Sequence, residues 1–433
     1  MGEEVLRDRT REIIATTRRI LERGVLDLSA SMGLVLALGF VQNVFLARIL
    51  GPEGMGHMAV LNTTLHFAAL LASAGITTSV LRYAAAEELP AAAWAVFRSG
   101  AQLAAMISVV VTVAVVLFSF SPLWVFDPIA ALWIPLASLV LPVRSLAGCG
   151  QVYCQSRERM RAMAVLRLVE KILLVTGVIA GAWLDGFRGA VWGFVIGSLA
   201  GSGITLLFVT TLAERPRVAS NVPRRELLRF GMWGVFTNFL GVILVTADVM
   251  MLSALTEDAA AVGIYSLAVV FQQIVRVPTN AYLDTRFPEM TRVSVDLGRL
   301  RSLRRRMRLH LIALSVAAAG CMAAVAPWLI PAVFGEAFEA SVLPLEILLI
   351  SQIFWGLGSA QGRSMYAAGW VEGNFWTSLF VALADIALNY FLIARFGILG
   401  AAAATTLTHA LWAVVVTVIN RWYERSRSIR EAR

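Results

Sequence analysis

The chain has 433 residues, of which 58% are hydrophobic and 15% are charged, and its mean hydropathy is +0.75. Soluble domains average about 25% charged residues, so this composition excludes an ordinary soluble enzyme. The net charge of +9 would suit nucleic-acid binding, but the arginines flank apolar runs, and we therefore expect no nucleic-acid partner.

The N-terminal stretch MGEEVLRDRTREIIATTRRILERG (1–24) lacks the apolar core of a signal peptide. It predicts an amphipathic, arginine-rich helix on the cytoplasmic surface of the membrane, or alternatively a plain solvated helix. Residues 1–26 are therefore interpreted as a cytoplasmic segment that precedes the membrane domain.

The rest of the chain is dominated by apolar runs, and about 20 mostly apolar residues cross a bilayer as a helix. About twelve runs meet this length, at 27–49, 57–79, 97–119, 130–153, 163–184, 189–212, 230–254, 261–283, 310–333, 342–364, 373–394 and 398–420. The sequence therefore predicts an all-α polytopic membrane protein.

The arginines predict the orientation, because cytoplasmic loops collect Lys and Arg. They are concentrated in the N-terminal segment, in the segments that follow the even-numbered runs and in the tail, and 286–308 is the densest of these stretches. The opposite side of the membrane receives only Arg48, Arg188 and Arg395. Both termini are therefore expected to be cytoplasmic.

The two halves of the chain resemble each other. Matching positions keep their order at offsets of 205 to 213 residues: Leu50 with Leu255, Gly56 with Gly263, Gly189 with Gly400, and Tyr153 with Tyr366. A duplicated six-helix unit predicts this spacing, with the pseudo-two-fold axis along the membrane normal. The predicted segments are a bundle at 27–212, a cytoplasmic linker at 213–229, a bundle at 230–420 and a basic tail at 421–433.

Several stretches resemble bacterial polysaccharide flippases, the Wzx-type oligosaccharide transporters. They are LARILGPEGMGHMAVL (46–61), DVMMLSALTEDAAAVGIYSLA (248–268), VFGEAFEASVLPLEIL (333–348) and ALNYFLIARFGILGAAAATTL (387–407). In the last motif Ala394 stands where that family usually has proline. The resemblance implies the fold of the multidrug and toxin extrusion (MATE) transporters, which is two six-helix bundles around a central cavity. It also implies a polyprenyl-diphosphate-linked glycan as the substrate, moved from the inner to the outer leaflet.

Three arginines at membrane depth are candidates for binding that diphosphate: Arg276, Arg144 and Arg363. An ionisable side chain in the membrane usually faces a cavity or a partner, and Arg offers a planar fork to phosphate oxygens. For Arg276 and Arg144 the alternative is an ion pair with a carboxylate such as Asp248 or Asp385, or snorkelling. For Arg363, near the cytoplasmic end of its span, the alternative is snorkelling.

The candidates for ion coupling are Asp248, Asp385, Asn389 and Asn43. Asp248 replaces the amide of Asn43 in the other repeat, and its alternative role is a salt bridge with Arg276. Asp385 and Asn389 are four residues apart and share one helix face. They could line the interior of the second bundle or form hydrogen bonds across helices. The coupling ion would be H⁺ or Na⁺.

No motif indicates a cofactor or a metal. The three cysteines match no zinc pattern, the four histidines are scattered, and there is no Walker A loop. The expected partners are the glycan lipid, membrane lipids and other polysaccharide assembly proteins.

A flippase is thus the leading prediction. The alternatives are a drug–cation antiporter of the same fold, for which the first bundle lacks a deep carboxylate, and a lipid II flippase, which typically has two further helices. A membrane enzyme is disfavoured because the outer loops hold no clustered catalytic groups.

Overall fold

The computed structural model describes residues 25–212, 222–294 and 296–431, of which nearly all are helical and none lies in a strand. A helix satisfies its backbone hydrogen bonds within one segment, which the bilayer interior requires. The α-helices are α1 (Val25–Ser73), α2 (Ile76–Ala86), α3 (Pro90–Ser119), α4 (Pro128–Ser138), α5 (Val140–Ser156), α6 (Met160–Thr211), α7 (Arg224–Thr256), α8 (Ala259–Val293), α9 (Leu297–Phe334), α10 (Val342–Ala367) and α11 (Val371–Glu431).

Three of these helices contain an internal break at a glycine with positive φ. The glycines are Gly51 in α1 (φ 65°), Gly186 in α6 (φ 55°) and Gly397 in α11 (φ 54°). Glycine adopts this conformation without the steric cost that a side chain would add. A continuous helix of 61 residues, the length of α11, would be about 90 Å long, roughly three times the hydrocarbon core. Each of these three elements is therefore two helices joined at the break.

Seven helices of the described ranges are long and apolar enough to cross a membrane. The number rises to eight if α4 and α5, which bend by 52° at their junction, count as one span. The chain is therefore a multi-pass membrane protein. The predicted number of about twelve spans is not confirmed by this criterion and stays a prediction.

The backbone repeats between the two halves of the chain. Gly186 and Gly397 are 211 residues apart and have nearly the same conformation, with ψ of −136° and −128°. The same offset relates the turn after α5 to the turn after α10. There Arg159 N donates to Cys154 O and Trp370 N donates to Met365 O, both at 2.9 Å. These matches are those that a duplicated unit predicts.

The turn geometry corrects one of the pairings predicted from sequence. Arg157 N donates to Tyr153 O, and at the equivalent turn Ala368 N donates to Ser364 O. Tyr153 therefore corresponds to Ser364, and its predicted pairing with Tyr366 is wrong by two residues. The hydrogen-bonded turn fixes the register, whereas a shared tyrosine near a helix end does not.

The glycines of GPEGMGH (51–57) allow a close approach to α8. A Cβ atom added to Gly56 would lie 1.8 Å from the carbonyl oxygen of Ala259, and one added to Gly263 would lie 1.8 Å from that of Pro52. The close approach is therefore between this stretch and the start of α8, and Gly56 and Gly263 occupy matching positions in the two repeats.

The described residues belong to two compact units. The first unit comprises residues up to 49, 64–124 and 131–236, and the second comprises 50–63, 125–130 and 237–433. The core of the first unit includes Ile76, Val96 and Tyr153, and the core of the second includes Leu283, Met307 and Leu311. The predicted N-terminal helix (1–24) and most of the predicted linker (213–221) lie outside the described residues, whereas the basic tail continues α11 as helix to residue 431.

Candidate functional site

A group of buried polar side chains occupies the interior of the second unit, among α7, α8, α10 and α11. Its members are Asp248, Tyr265, Gln272, Arg276, Ser351, Gln352, Asp385, Asn389, Thr405, Thr408 and His409, all less than one-tenth exposed. Burial of a polar group costs free energy unless the group is hydrogen-bonded. A polar interior of this size therefore requires an explanation.

Asp248 is held by hydroxyl groups. Its carboxylate accepts hydrogen bonds from Tyr265 Oη at 2.5 Å and from Thr405 Oγ1 at 3.4 Å. Among the ion pairs of the described residues, none joins Asp248 to Arg276. The salt bridge considered from the sequence is therefore not formed, and neutral donors stabilise the carboxylate.

Arg276 on α8 is held by two neutral groups of α10. Its Nε donates to Gln352 Oε1 at 3.2 Å, and its guanidinium carbon lies 3.8 Å from the ring centroid of Trp355. A cation over a Trp face is attracted by the ring quadrupole without loss of its charge. Within the described ranges, Arg276 is thus a buried cation that interacts electrostatically with Asp248 but forms an ion pair with no carboxylate.

Asp385 and Asn389 on α11 are both buried, as expected for a shared inward face. Asn389 Nδ2 donates to the backbone oxygen of Asp385 at 3.1 Å, which leaves Asn389 Oδ1 without a partner. Asp385 interacts electrostatically with Asp248. Two carboxyl groups and an unsatisfied amide oxygen therefore share one region of the second unit.

His409 and Thr408 belong to the same interior, although neither was a candidate site residue from the sequence. Neither ring nitrogen of His409 has a hydrogen-bond partner in the described part of the chain, and the Thr408 hydroxyl lies close enough to interact with the Asp385 carboxyl group. The His409 ring packs edge-on against Trp355 at 5.2 Å. A usable sequence signal was the spacing of Thr405 and His409, which are four residues apart on an otherwise apolar helix.

The remaining candidates lie elsewhere. Arg144 is exposed on α5 in the first unit, within electrostatic range of Lys171 and His66. Arg363 Nη1 donates to Asp284 Oδ1 at 2.5 Å, in an ion pair near the end of α10. The amide of Asn43, in the first unit, donates to Gly39 O at 3.0 Å within its own helix.

The adjacent residues Glu170 and Lys171 on α6 have separate partners. Glu170 accepts from Gln151 Nε2 at 2.7 Å, and Lys171 Nζ donates to Gln42 Oε1 at 3.2 Å. The described residues hold no group of three or more His, Cys, Asp or Glu side chains that could bind a metal ion.

The fold is that of a multi-pass helical membrane protein, with a buried polar interior in its second unit. Residues 21–294 match the family model for polysaccharide biosynthesis proteins, and the chain belongs to that family. The resemblance predicted from sequence motifs is therefore confirmed. No curated protein sequence matches the chain.

Solved structures show the same fold at low sequence identity. The lipid II flippase MurJ, in an inward closed conformation, superposes with a TM-score of 0.72 and 12% identity, over 90% of this chain and 86% of that one. An inward-facing MATE family transporter of the MOP superfamily superposes with a TM-score of 0.75 and 12% sequence identity. The match covers 93% of this chain and 98% of that one. For a MATE transporter of Vibrio cholerae, the TM-score is 0.65 and the sequence identity is 14%, over 94% of this chain and 97% of that one. These similarities confirm the predicted fold class.

Proposed function

We propose that this protein flips a polyprenyl-diphosphate-linked oligosaccharide from the inner to the outer leaflet of the bacterial inner membrane, for surface polysaccharide biosynthesis. The family, which is that of polysaccharide biosynthesis proteins, and the fold, which it shares with the lipid II flippase MurJ, support this proposal. Both termini would be cytoplasmic, and the two six-helix bundles would alternate in access. The protein would act as a transporter and not as an enzyme.

The observation that carries the proposal is the environment of Arg276. A diphosphate in the membrane interior must be desolvated, and only opposite charge offsets the cost. Arg276 is buried, its direct contacts Gln352 and Trp355 are neutral, and Asp248 interacts with it electrostatically without forming an ion pair. An arginine already neutralised by a carboxylate would offer a diphosphate much less. Arg144 and Arg363 are the further candidates for contact with the substrate.

The test is leaflet exchange of fluorescent polyprenyl-diphosphate sugars by the protein in liposomes. Arg276→Ala should abolish exchange, and Arg276→Lys should retain part of it, since lysine keeps the charge but lacks the bidentate fork. Arg292→Ala is the matched control, an exposed arginine near the end of the same helix, and it should leave exchange unchanged. Full exchange by Arg276→Ala would refute the role of Arg276.

Stability of the same variants separates binding from structure. Arg276→Ala leaves the Gln352 oxygen without its donor, at a cost of about 1–3 kcal/mol. Removal of one partner of a buried ion pair would cost about 3–5 kcal/mol, but Arg276 joins none of the ion pairs of the residues that the structure describes. We therefore expect loss of exchange with only modest destabilisation in detergent.

The second candidate function is drug–cation antiport, which the similarity to MATE transporters favours. Asp248 and Asp385 would then bind the cation or proton that exchanges with the drug. Export of cationic dyes, together with no exchange of any polyprenyl-diphosphate lipid, would establish this function in place of the flippase.

A further inference from the structure

A basic cavity of about 370 Å³ lies in the second unit, where the start of α9 meets the ends of α10 and α11. We refer to it as the arginine pocket, and it is lined by Arg301, Arg304, Arg305, Arg308, Gln361, Arg421 and Glu424. The arginine distribution predicts that this end of the helices faces the cytoplasm. The pocket is separate from the buried polar interior around Asp248 and Arg276.

The positive charge of the arginine pocket exceeds its internal negative charge. Glu424 accepts from both Arg301, at 2.7 Å, and Arg304, which also donates to Ser364 Oγ at 2.9 Å. The other three arginines, Arg305, Arg308 and Arg421, are exposed and join none of the ion pairs found among the described residues. One carboxylate thus serves five guanidinium groups.

The duplicated fold supplies an internal comparison. Helices α3 and α9 begin at Pro90 and Leu297, an offset of 207, so that Arg301 and Arg304 correspond to Trp94 and Phe97. Ser364 corresponds to Tyr153 by the turn register.

In the first unit these three equivalent positions form an aromatic cluster. The ring centroids of Trp94 and Phe97 are 4.8 Å apart, and those of Phe97 and Tyr153 are 5.1 Å apart. Apolar packing at these positions is therefore compatible with the fold, which does not require arginine there. The second unit has replaced that packing with a cationic cavity, which points to a ligand and not to a structural need.

We infer that the arginine pocket binds a phosphate-bearing anion. Planar guanidinium groups bind phosphate oxygens in pairs through charge-assisted hydrogen bonds. The volume lies within the usual range for small-ligand sites, about 300–1,000 Å³. Basic pockets at the cytoplasmic ends of transmembrane helices suit the head groups of anionic lipids. Such a phosphate can belong to a membrane lipid or to a soluble anion.

Two probes distinguish these sources, and both are applied to the full-length protein. Inorganic pyrophosphate is titrated calorimetrically into protein held in uncharged detergent. Phosphatidylglycerol is offered against phosphatidylcholine in nanodiscs, and the retained lipid is identified by native mass spectrometry. Neither measurement depends on the flipping of any glycan lipid, so failure of the proposed function leaves this test intact.

The variant to compare is Arg305→Gln/Arg308→Gln, which removes two arginines without breaking the pairs to Glu424. Its control is Arg98→Gln, because Arg98 occupies the position of Arg305 in the first unit. We expect the dissociation constant of whichever probe binds to rise roughly tenfold or more in the double variant and to stay unchanged in the control. Thermal unfolding of each variant verifies the fold, and Arg421→Gln is the substitute if the double variant fails to fold.

Each result decides the inference. Binding of pyrophosphate assigns the pocket to a soluble anion, and selective retention of phosphatidylglycerol without pyrophosphate binding assigns it to a lipid head group. If the wild-type protein binds neither probe, or if Arg98→Gln weakens binding as much as the double variant, the arginine pocket is not an anion site.

Discussion

At the scale of single residues, Asp248 and Arg276, in the polar interior of the second unit, are held by neutral partners. Asp248 accepts from the hydroxyls of Tyr265 and Thr405, and Arg276 contacts an amide and an indole. A buried ion pair cancels its own field, but charges held by dipoles keep theirs and can respond to a charged ligand. This arrangement suits a site that must bind charge transiently.

The replacement of Asp248 by Asn tests whether that carboxylate binds a coupling ion. Asparagine keeps the shape and can still accept from Tyr265, so Asp248→Asn should fold normally, with unfolding free energy changed by about 1 kcal/mol or less. It removes the negative charge, so leaflet exchange should lose its stimulation by an imposed sodium or pH gradient. Exchange is measured in liposomes with and without each gradient.

The control for this experiment is Tyr265→Phe, which removes the shortest hydrogen bond to Asp248 and keeps the carboxylate. It should retain stimulation by the gradient at an altered ion concentration. Because Asp248 has no ion pair with Arg276, Arg276→Gln should not rescue Asp248→Asn. Unchanged gradient dependence in a well-folded Asp248→Asn protein would remove Asp248 from the coupling mechanism.

The sequence predicted this site only in part, and for a physical reason. Asp248, Arg276, Asp385 and Asn389 stand out because ionisable and amide groups are rare at membrane depth. Their partners do not stand out, because hydroxyls such as Thr405 are common in membrane helices and satisfy their own backbone. Which residue an arginine contacts depends on helix rotation and rotamer, and neither can be read from spacing.

At the scale of helices, the duplicated halves share the same breaks and the same close contacts. A Cβ atom on Gly189 would lie 2.0 Å from Gly181 O, and one on Gly400 would lie 2.0 Å from Leu392 O. Both glycines follow their break by three residues, and both let the two helices meet with their backbones in contact. Small residues at such crossings are typical of membrane helix pairs.

Alanine substitution of these glycines should therefore be costly in both halves. Gly189→Ala and Gly400→Ala each force a Cβ into a backbone carbonyl, and we expect destabilisation of about 1–3 kcal/mol or more, as for overpacked cores. Gly203→Ala is the control, since a Cβ there meets nothing within 4 Å. In a helix interior this control should be neutral or stabilising by up to about 1 kcal/mol.

Thermal unfolding in detergent measures all three variants. A Gly189→Ala protein as stable as Gly203→Ala would show that the two helices on either side of Gly186 can move apart without loss of stability. If substitution of only one of Gly189 and Gly400 caused a large loss of stability, the two halves would be similar in backbone but not equivalent in packing.

The helices and their register were predictable from sequence to different extents. Apolar length predicts helix in a membrane chain because the bilayer leaves the backbone few alternatives. The offset of 211 could be read from Gly189 and Gly400 because only glycine fits these contacts. The pairing of Tyr153 with Tyr366 failed because aromatic residues near a helix end are not confined to one position.

At the scale of the whole molecule, the two units have diverged in polarity while their local backbone has been kept. The positions that correspond to Asp385, Asn389 and Thr405, by the offset of 211, are Leu174, Val178 and Phe194. These three positions of the polar interior thus have apolar counterparts in the first unit, whereas Asp248 corresponds to the amide Asn43. Three positions at the arginine pocket, Arg301, Arg304 and Ser364, have aromatic counterparts. For the proposed transporter, we therefore expect charge binding chiefly in the second half.

The number of spans and the orientation are the remaining predictions at this scale. Fusion of a reporter that distinguishes cytoplasm from the outer side tests both. Fusions in the predicted inner loops should report the cytoplasm, and these are at positions 90, 160, 220, 298 and 428. Fusions in the predicted outer loops should report the outer side, and these are at positions 124, 186, 258, 336 and 396. The reason is the arginine bias, which places the basic segments on the cytoplasmic side.

The decisive comparison is across α6, the helix of 52 residues with its break at Gly186. If the break separates two spans, as about twelve spans require, fusions at 160 and 220 report the same side and a fusion at 186 reports the opposite one. If α6 crosses the membrane once, 160 and 220 report opposite sides. At 1.5 Å per residue its 52 residues would reach about 78 Å, more than twice the roughly 30 Å core, so we expect two crossings. Opposite sides for 160 and 220 would contradict both the orientation predicted from the arginines and the predicted pair of six-helix bundles.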